Sequence, residues 1–150
     1  MNISDILPPA LIKVDLRAAD KEEAFEEMVS LLVSAGRLRD RRAALDALRE
    51  REAKMTTGIG NGLALPHGKT PAVTGLAVAL ALSRDGVEYD AMDGQLVHTI
   101  VMVLAEINNP GPHIEALAEV SRLFSLPGFG EKLRDCRTSA EVLELIRRQE

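Results

Sequence analysis

Between residues 20 and 36, the stretch DKEEAFEEMVSLLVSAG repeats apolar residues at helical spacing: Phe25, Met28, Leu31 and Leu32, with charged residues between. That period places them on one face of a helix. Asp20, with Glu23 three residues on, marks its start, and Gly36 stands where a left-handed C-cap would close it. DRRAALDALREREAKM predicts a second helix, with Leu45 and Leu48 buried and Arg51 near its C-terminal end. LIKVDL alternates and predicts a first strand, and GLALP a short strand that stops at Pro66. GLAVALAL and LVHTIVMVLA are apolar at consecutive positions, the mark of central strands covered on both faces. Asp93-Gly94, between them, is a hairpin signal. GPHIEALAEVSRLF predicts a helix with Pro112 in its first position and a stripe of Ile114, Leu117, Val120 and Phe124. TSAEVLELIRR predicts a last helix, with Thr138 and Glu141 as a capping box.

Helices toward both ends and strands in the middle predict an α/β fold: a single-domain sandwich, with a mixed β-sheet flanked by helices on both faces. No repeat or linker divides the chain, so residues 1–150 are read as one domain. Apolar residues make up 46% of it and aromatics only 3%, so the core must be aliphatic. The net charge of -5 argues against a nucleic-acid binder. The arginines between Arg37 and Arg51 alternate with acidic residues and read as a solvated helix face. A lone cysteine, Cys136, permits no intrachain disulfide and fits a reducing compartment. The N-terminus lacks the pattern of a signal peptide, and LAVALAL is far too short to span a membrane. A cytoplasmic protein without membrane insertion is the expectation.

The chemistry concentrates in TTGIGNGLALPHGKTP, residues 56–71. Its Gly68-Lys69-Thr70 suggests a nucleotide P-loop, but the first glycine of that motif would fall at Leu63, and Pro71 follows where a helix should begin. The dinucleotide fingerprint fails at the same leucine. A bland reading makes Gly58, Gly60 and Gly62 a tight connection and His67 a surface residue. Against it, Pro66 fixes the backbone just before His67 and presents that side chain at a strand terminus. Lys69 and Arg51 are phosphate partners at hand. A neutral imidazole has one free lone pair and can attack phosphorus, provided its other nitrogen keeps the proton, best on a carbonyl of the same segment. Arg51 offers a guanidinium fork for the phosphoryl oxygens. His113, after Pro112, falls in the first turn of a helix, where the dipole favours a neutral ring and attracts phosphate. His98 lies inside an apolar strand and reads as structural. A zinc site from His67, His98 and His113 is the remaining option, without any short-range ligand spacing to support it.

REAKMTTGIGNGLALPHGKT resembles the active-site signature of the fructose/mannitol-type IIA domains of the bacterial phosphoenolpyruvate-dependent phosphotransferase system. Within that family the chain is most similar to the stand-alone nitrogen-regulatory IIA proteins, and the similarity covers nearly the whole chain, making 1–150 a type 2 IIA domain. The resemblance implies that His67 is the phosphorylated histidine, that His113, in PHIEAL, is the second active-site histidine, and that Arg51 sits beside the phosphoryl group. It implies a histidine phosphocarrier protein (HPr-like) as donor, and a regulated target protein or a IIB domain as the next partner. It implies neither metal nor cofactor. The absence of a fused transport domain in these 150 residues favours a regulator over a sugar-transport component, and a binding-only regulator is the contrasting class. A shallow site is expected, with Ile59 and Leu63 in a docking rim.

Overall fold

Two long apolar strands organise the fold. In the computed structural model, which describes residues 1–150, β5 (Leu76–Val87) and β6 (Val97–Ala105) run antiparallel, with Leu76 opposite Ala105 and Leu82 opposite Thr99. Residues 77–83 and 99–105 are buried without a break, so both faces of the sheet are covered. β1 (Ile12–Lys13) lies parallel to β5 on one side. On the other, β3 (Leu63–Ala64) and β4 (His67–Lys69) follow one another along β6, both parallel to it. β2 (Gly58–Gly60) pairs antiparallel with β3, so the sheet is mixed.

The helices divide between the two faces. α1 (Lys21–Ser34) packs on β5, and α2 (Arg41–Lys54) packs on α1 and β4. On the other face lie α3 (Pro110–Ser125), α4 (Phe129–Arg134) and α5 (Ser139–Arg147). There the paired residues Leu80 and Val101 meet Val120, Leu123, Leu133 and Ile146. The caps read from the sequence are made. Asp20 accepts the Glu23 N–H at 2.9 Å while Glu23 accepts the Ala19 N–H at 3.0 Å. Thr138 Oγ1 accepts the Glu141 N–H at 3.1 Å. Each such cap is worth about 1 kcal/mol.

Several elements differ from their sequence pattern. Of LIKVDL only Ile12–Lys13 pair with β5, because the chain turns away at Val14, although the Leu16 N–H still reaches Leu82 O at 3.0 Å. The glycine-rich stretch holds a strand, β2. Asp93-Gly94 is a turn inside a longer loop, residues 88–96, and not a two-residue hairpin. α4 has no clear signal in its short sequence. α3 begins at Pro110, two residues before the expected Pro112, and its inner face is turned by about one residue, roughly 100°. His113, Ala116, Val120 and Leu123 are buried, whereas Ile114 is 66% exposed. An apolarity pattern counts Ile114 as core and His113 as surface; the fold reverses them because His113 stands across the helix–sheet gap from His67.

Candidate functional site

β3 ends at Ala64, and the chain re-enters the sheet three residues later with His67 as the first residue of β4. His67 thus opens a strand of its own and does not close the preceding one. Between the two, Pro66 has no N–H to satisfy, and its carbonyl accepts the Val103 N–H at 3.0 Å. That bond, and the one from Thr70 N–H to Ala105 O at 2.9 Å, fix the parallel register. In this register the main-chain groups of His67 and Lys69 point away from β6, toward the open edge of β4. Side chains alternate, so His67 and Lys69 share the face of β4 toward α3 while Gly68 faces α2. A Cβ on Gly68 would lie 3.2 Å from the backbone carbon and oxygen of Ala47, so glycine is what lets α2 lie this close. One helical turn beyond Ala47 comes Arg51.

Arg51, His67 and His113 line a single open depression of about 530 Å³, together with Lys54 and Lys69. Nδ1 of His67 lies 2.8 Å from the carbonyl oxygen of Leu65. A carbonyl only accepts, so Nδ1 carries the proton and Nε2 keeps the lone pair. The His67 and His113 rings meet edge-on, centroids 5.2 Å apart and planes at 79°. His113 is 6% exposed, and its Nδ1 is buried with no hydrogen-bond partner. Burial lowers the His67 imidazole below its ordinary value, assisted by the Arg51 charge and opposed by the Leu65 hydrogen bond and Glu52. Burial, then the charges of His67 and Lys69, push His113 down to about 4. Both rings are therefore neutral at pH 7. Arg51 donates from Nη1 to the Met55 carbonyl at 2.8 Å, which anchors one arm of its fork at the end of α2. Arg51, Lys54 and Lys69 form no ion pair with any carboxylate of the protein, and although Glu50 also lines the depression, the cations outnumber it three to one and favour an anion there.

The sequence placed Arg51, His67 and His113 in one site, and the fold brings them together. His98 does not join them: its Nδ1 bonds Ser83 O at 2.8 Å, and its ring sits near Gly62 and Gly86. A three-histidine metal centre is therefore not assembled. The expected docking rim is also corrected. Leu63 is 2% exposed and belongs to the core, and Ile59, though exposed, borders a different depression near Phe124 and Leu126. The sequence did not reveal the buried group behind the site. Glu52 accepts the Thr57 N–H at 2.7 Å and the Thr57 hydroxyl at 2.6 Å, Lys21 pairs with it at 3.1 Å, and Tyr89 OH lies 2.7 Å from Thr57 Oγ1. Lys21 and Tyr89 lie too far from Glu52 and Thr57 in the chain for the sequence to join them.

The profile of the family described as "Phosphoenolpyruvate-dependent sugar phosphotransferase system, EIIA 2" matches residues 5–149. The chain is 39% identical over 145 residues to the fructose-specific EIIA component of Haloferax volcanii, covering 97% of this chain and 94% of that protein. It is 36% identical to the fructose-specific EIIABC component of Bacillus subtilis, of whose length it spans only 23%. A nitrogen regulatory protein of Bradyrhizobium diazoefficiens is 30% identical, with 97% and 95% covered. Among solved structures, the nitrogen regulatory protein IIA-Ntr of Neisseria meningitidis superposes with a TM-score of 0.83 at 31% identity, covering 96% of this chain and 98% of that one.

Proposed function

The chain belongs to the EIIA 2 family of the phosphoenolpyruvate-dependent sugar phosphotransferase system, and from that premise we propose that it carries a phosphoryl group on Nε2 of His67. The observation that carries this reading is the Nδ1–H bond to Leu65 O, which leaves the Nε2 lone pair free in a depression with three unpaired cations. The donor is a histidine phosphocarrier protein. Nε2 of His67 attacks the phosphorus, the new N–P bond forms as the bond to the donor's imidazole breaks, and that imidazole leaves with the electron pair. The proton stays on Nδ1 of His67, donated in the hydrogen bond to Leu65 O, so His67 itself neither gains nor loses a proton as it attacks. The donor's ring leaves as neutral imidazole when its other nitrogen is protonated. Arg51 receives the phosphoryl oxygens with the free part of its fork, and the neutral ring of His113 donates one hydrogen bond to them. The depression is open enough for a partner's ring to approach in line.

Residues 1–150 act as one type 2 IIA domain in the cytoplasm; no helix is long and apolar enough to cross a membrane. The phosphorylation state then governs binding to a regulated target protein. A second reading, transfer onward to a IIB domain in sugar uptake, is favoured by the 39% identity to a fructose-specific component. The test is incubation with phosphoenolpyruvate, the first enzyme of the system and the phosphocarrier. An acid-labile phosphate is expected on the peptide bearing His67 and none on His67→Ala. Undiminished labelling of that variant overturns the assignment, and the partner retained by the phosphorylated form separates the two readings.

A further inference from the structure

A continuous line of hydrogen bonds runs from the buried carboxylate of Glu52 to the ring of His67. The Glu52 side chain is 7% exposed, Thr57 3% and Tyr89 not at all. Thr57 spends its one hydroxyl proton on Glu52 Oε1, at 2.6 Å. Tyr89 OH, 2.7 Å from Thr57 Oγ1 and 3.4 Å from Glu52 Oε1, is therefore the donor to Thr57 Oγ1 at the shorter distance. The other carboxylate oxygen takes the Thr57 N–H at 2.7 Å and the Lys21 ammonium at 3.1 Å. Lys21 also lies over the Tyr89 ring, 4.8 Å from its centre. A buried carboxylate satisfied in this way is rigid, since each lost bond would leave an unpaired charge or dipole in a dry site. Thr57 is thus held from both its side chain and its N–H. Its carbonyl, the only polar group left, accepts the Leu65 N–H at 2.9 Å. The carbonyl of Leu65 in turn accepts Nδ1–H of His67 at 2.8 Å. Nothing else in the protein bonds either ring nitrogen of His67, so this carbonyl alone selects the tautomer.

We propose that Thr57, clamped by Glu52 and Tyr89, is a positioning residue of the phosphoryl-transfer site: it fixes the Leu65 carbonyl that keeps the proton on Nδ1 of His67 and turns Nε2 toward the incoming phosphorus. The proposal rests on His67 being the acceptor. Its distinctive consequence is chemical and not merely structural. If the carbonyl moves, the ring can place its proton on Nε2, and that tautomer has no lone pair to offer the phosphorus.

Long-range proton–nitrogen correlation spectra of the labelled, unphosphorylated protein read the tautomer, and rapid-quench transfer from the phosphorylated carrier reads the rate. The wild type should show the Nδ1–H form of His67. Thr57→Val, which keeps the shape and loses the hydroxyl, should show a mixture of tautomers and transfer slower by about tenfold, with unchanged half-saturation for the carrier. Thr57→Ser should restore both. A wild-type tautomer in Thr57→Val overturns the proposal, whatever the rate; so does a loss of rate expressed only in half-saturation. If Thr57→Val does not fold, Tyr89→Phe decides on the same spectra: mixed tautomers support the clamp and a wild-type spectrum overturns it. The tautomer is read without any phosphate, so failure of His67 as the acceptor, seen as wild-type labelling of His67→Ala, is a separate result.

Discussion

The rings of His67 and His113 stand edge to plane, 5.2 Å apart, and one of them has its proton placed by a carbonyl while the other has a buried nitrogen with no partner. The pair is asymmetric although the residues are the same. His67 has a hydrogen-bond acceptor on Nδ1 and so a free lone pair on Nε2. His113 has no group to accept from Nδ1, and an unpaired buried N–H costs more than an unpaired weak acceptor. Its proton belongs on Nε2, from which it can be donated. One ring is built to attack and the other to donate.

Removing the donor should slow the reaction without moving the acceptor. A hydrogen bond to a charged group is worth about 1.5–3 kcal/mol, so His113→Ala should still take phosphate on His67 but about ten- to a hundredfold more slowly. His113→Gln keeps an N–H donor and should recover part of the rate. Rapid-quench transfer to each variant checks this. A wild-type rate in His113→Ala would leave His113 a helix-start residue with no part in transfer, and label on His113 itself would reverse the roles.

Arg51 should be sensitive to geometry as well as charge. One arm of its fork is fixed on the Met55 carbonyl, so the remaining N–H groups hold a set direction over the depression. An ammonium cannot both make that anchor and present two parallel donors. Arg51→Lys should slow phosphorylation by roughly tenfold and leave the thermal midpoint nearly unchanged. Equal rates for the two proteins would make Arg51 a plain helix-end residue.

Gly68 tests whether the approach of α2 matters to the site. A methyl group there would sit 3.2 Å from Ala47 main-chain atoms, tighter than most such contacts, so α2 would have to give way by a few tenths of an ångström. Gly68→Ala should cost about 1–3 kcal/mol as overpacking. It should also slow transfer, since α2 carries Arg51. Gly111→Ala, where a Cβ meets nothing within 4 Å, is the control and should keep the wild-type rate. Thermal melts and transfer rates of the two variants give the comparison, and a wild-type rate in a destabilised Gly68→Ala would uncouple the helix from the site.

Stability should fall with acid through the histidine pair. Both imidazoles are lowered in the folded protein, His113 to about 4, so the unfolded chain takes up protons first. The sign follows: stability is whole above the ordinary histidine value near 6.5, and is lost as pH falls toward about 4, where folded His113 also protonates. The loss from His113 is at most on the order of 3 kcal/mol. His113→Ala should therefore show a flatter fall in thermal midpoint between about pH 6.5 and 4 than the wild type. Parallel curves would show that His113 is not the group responsible.

The sequence by itself determined the elements whose signals are local. Asp20 and Glu23, and Thr138 and Glu141, cap their helices as read, because a cap needs only residues three apart. The unbroken apolar runs of β5 and β6 announced a sheet buried on both faces. His67, His113 and Arg51 stood out because their chemistry is legible one residue at a time. Tertiary structure decided what depends on the approach of distant segments. Which face of α3 turns inward, and so whether His113 or Ile114 is buried, depends on what stands opposite, and apolarity alone chose Ile114. Three-residue strands such as β2 and β4 are too short to carry a period, and exist because β3 and β6 lie beside them to complete their hydrogen bonds. The choice of proton on His67 lies furthest from the sequence. It depends on the direction of one carbonyl, set through Thr57 by a carboxylate five residues before it and a hydroxyl thirty-two residues after it.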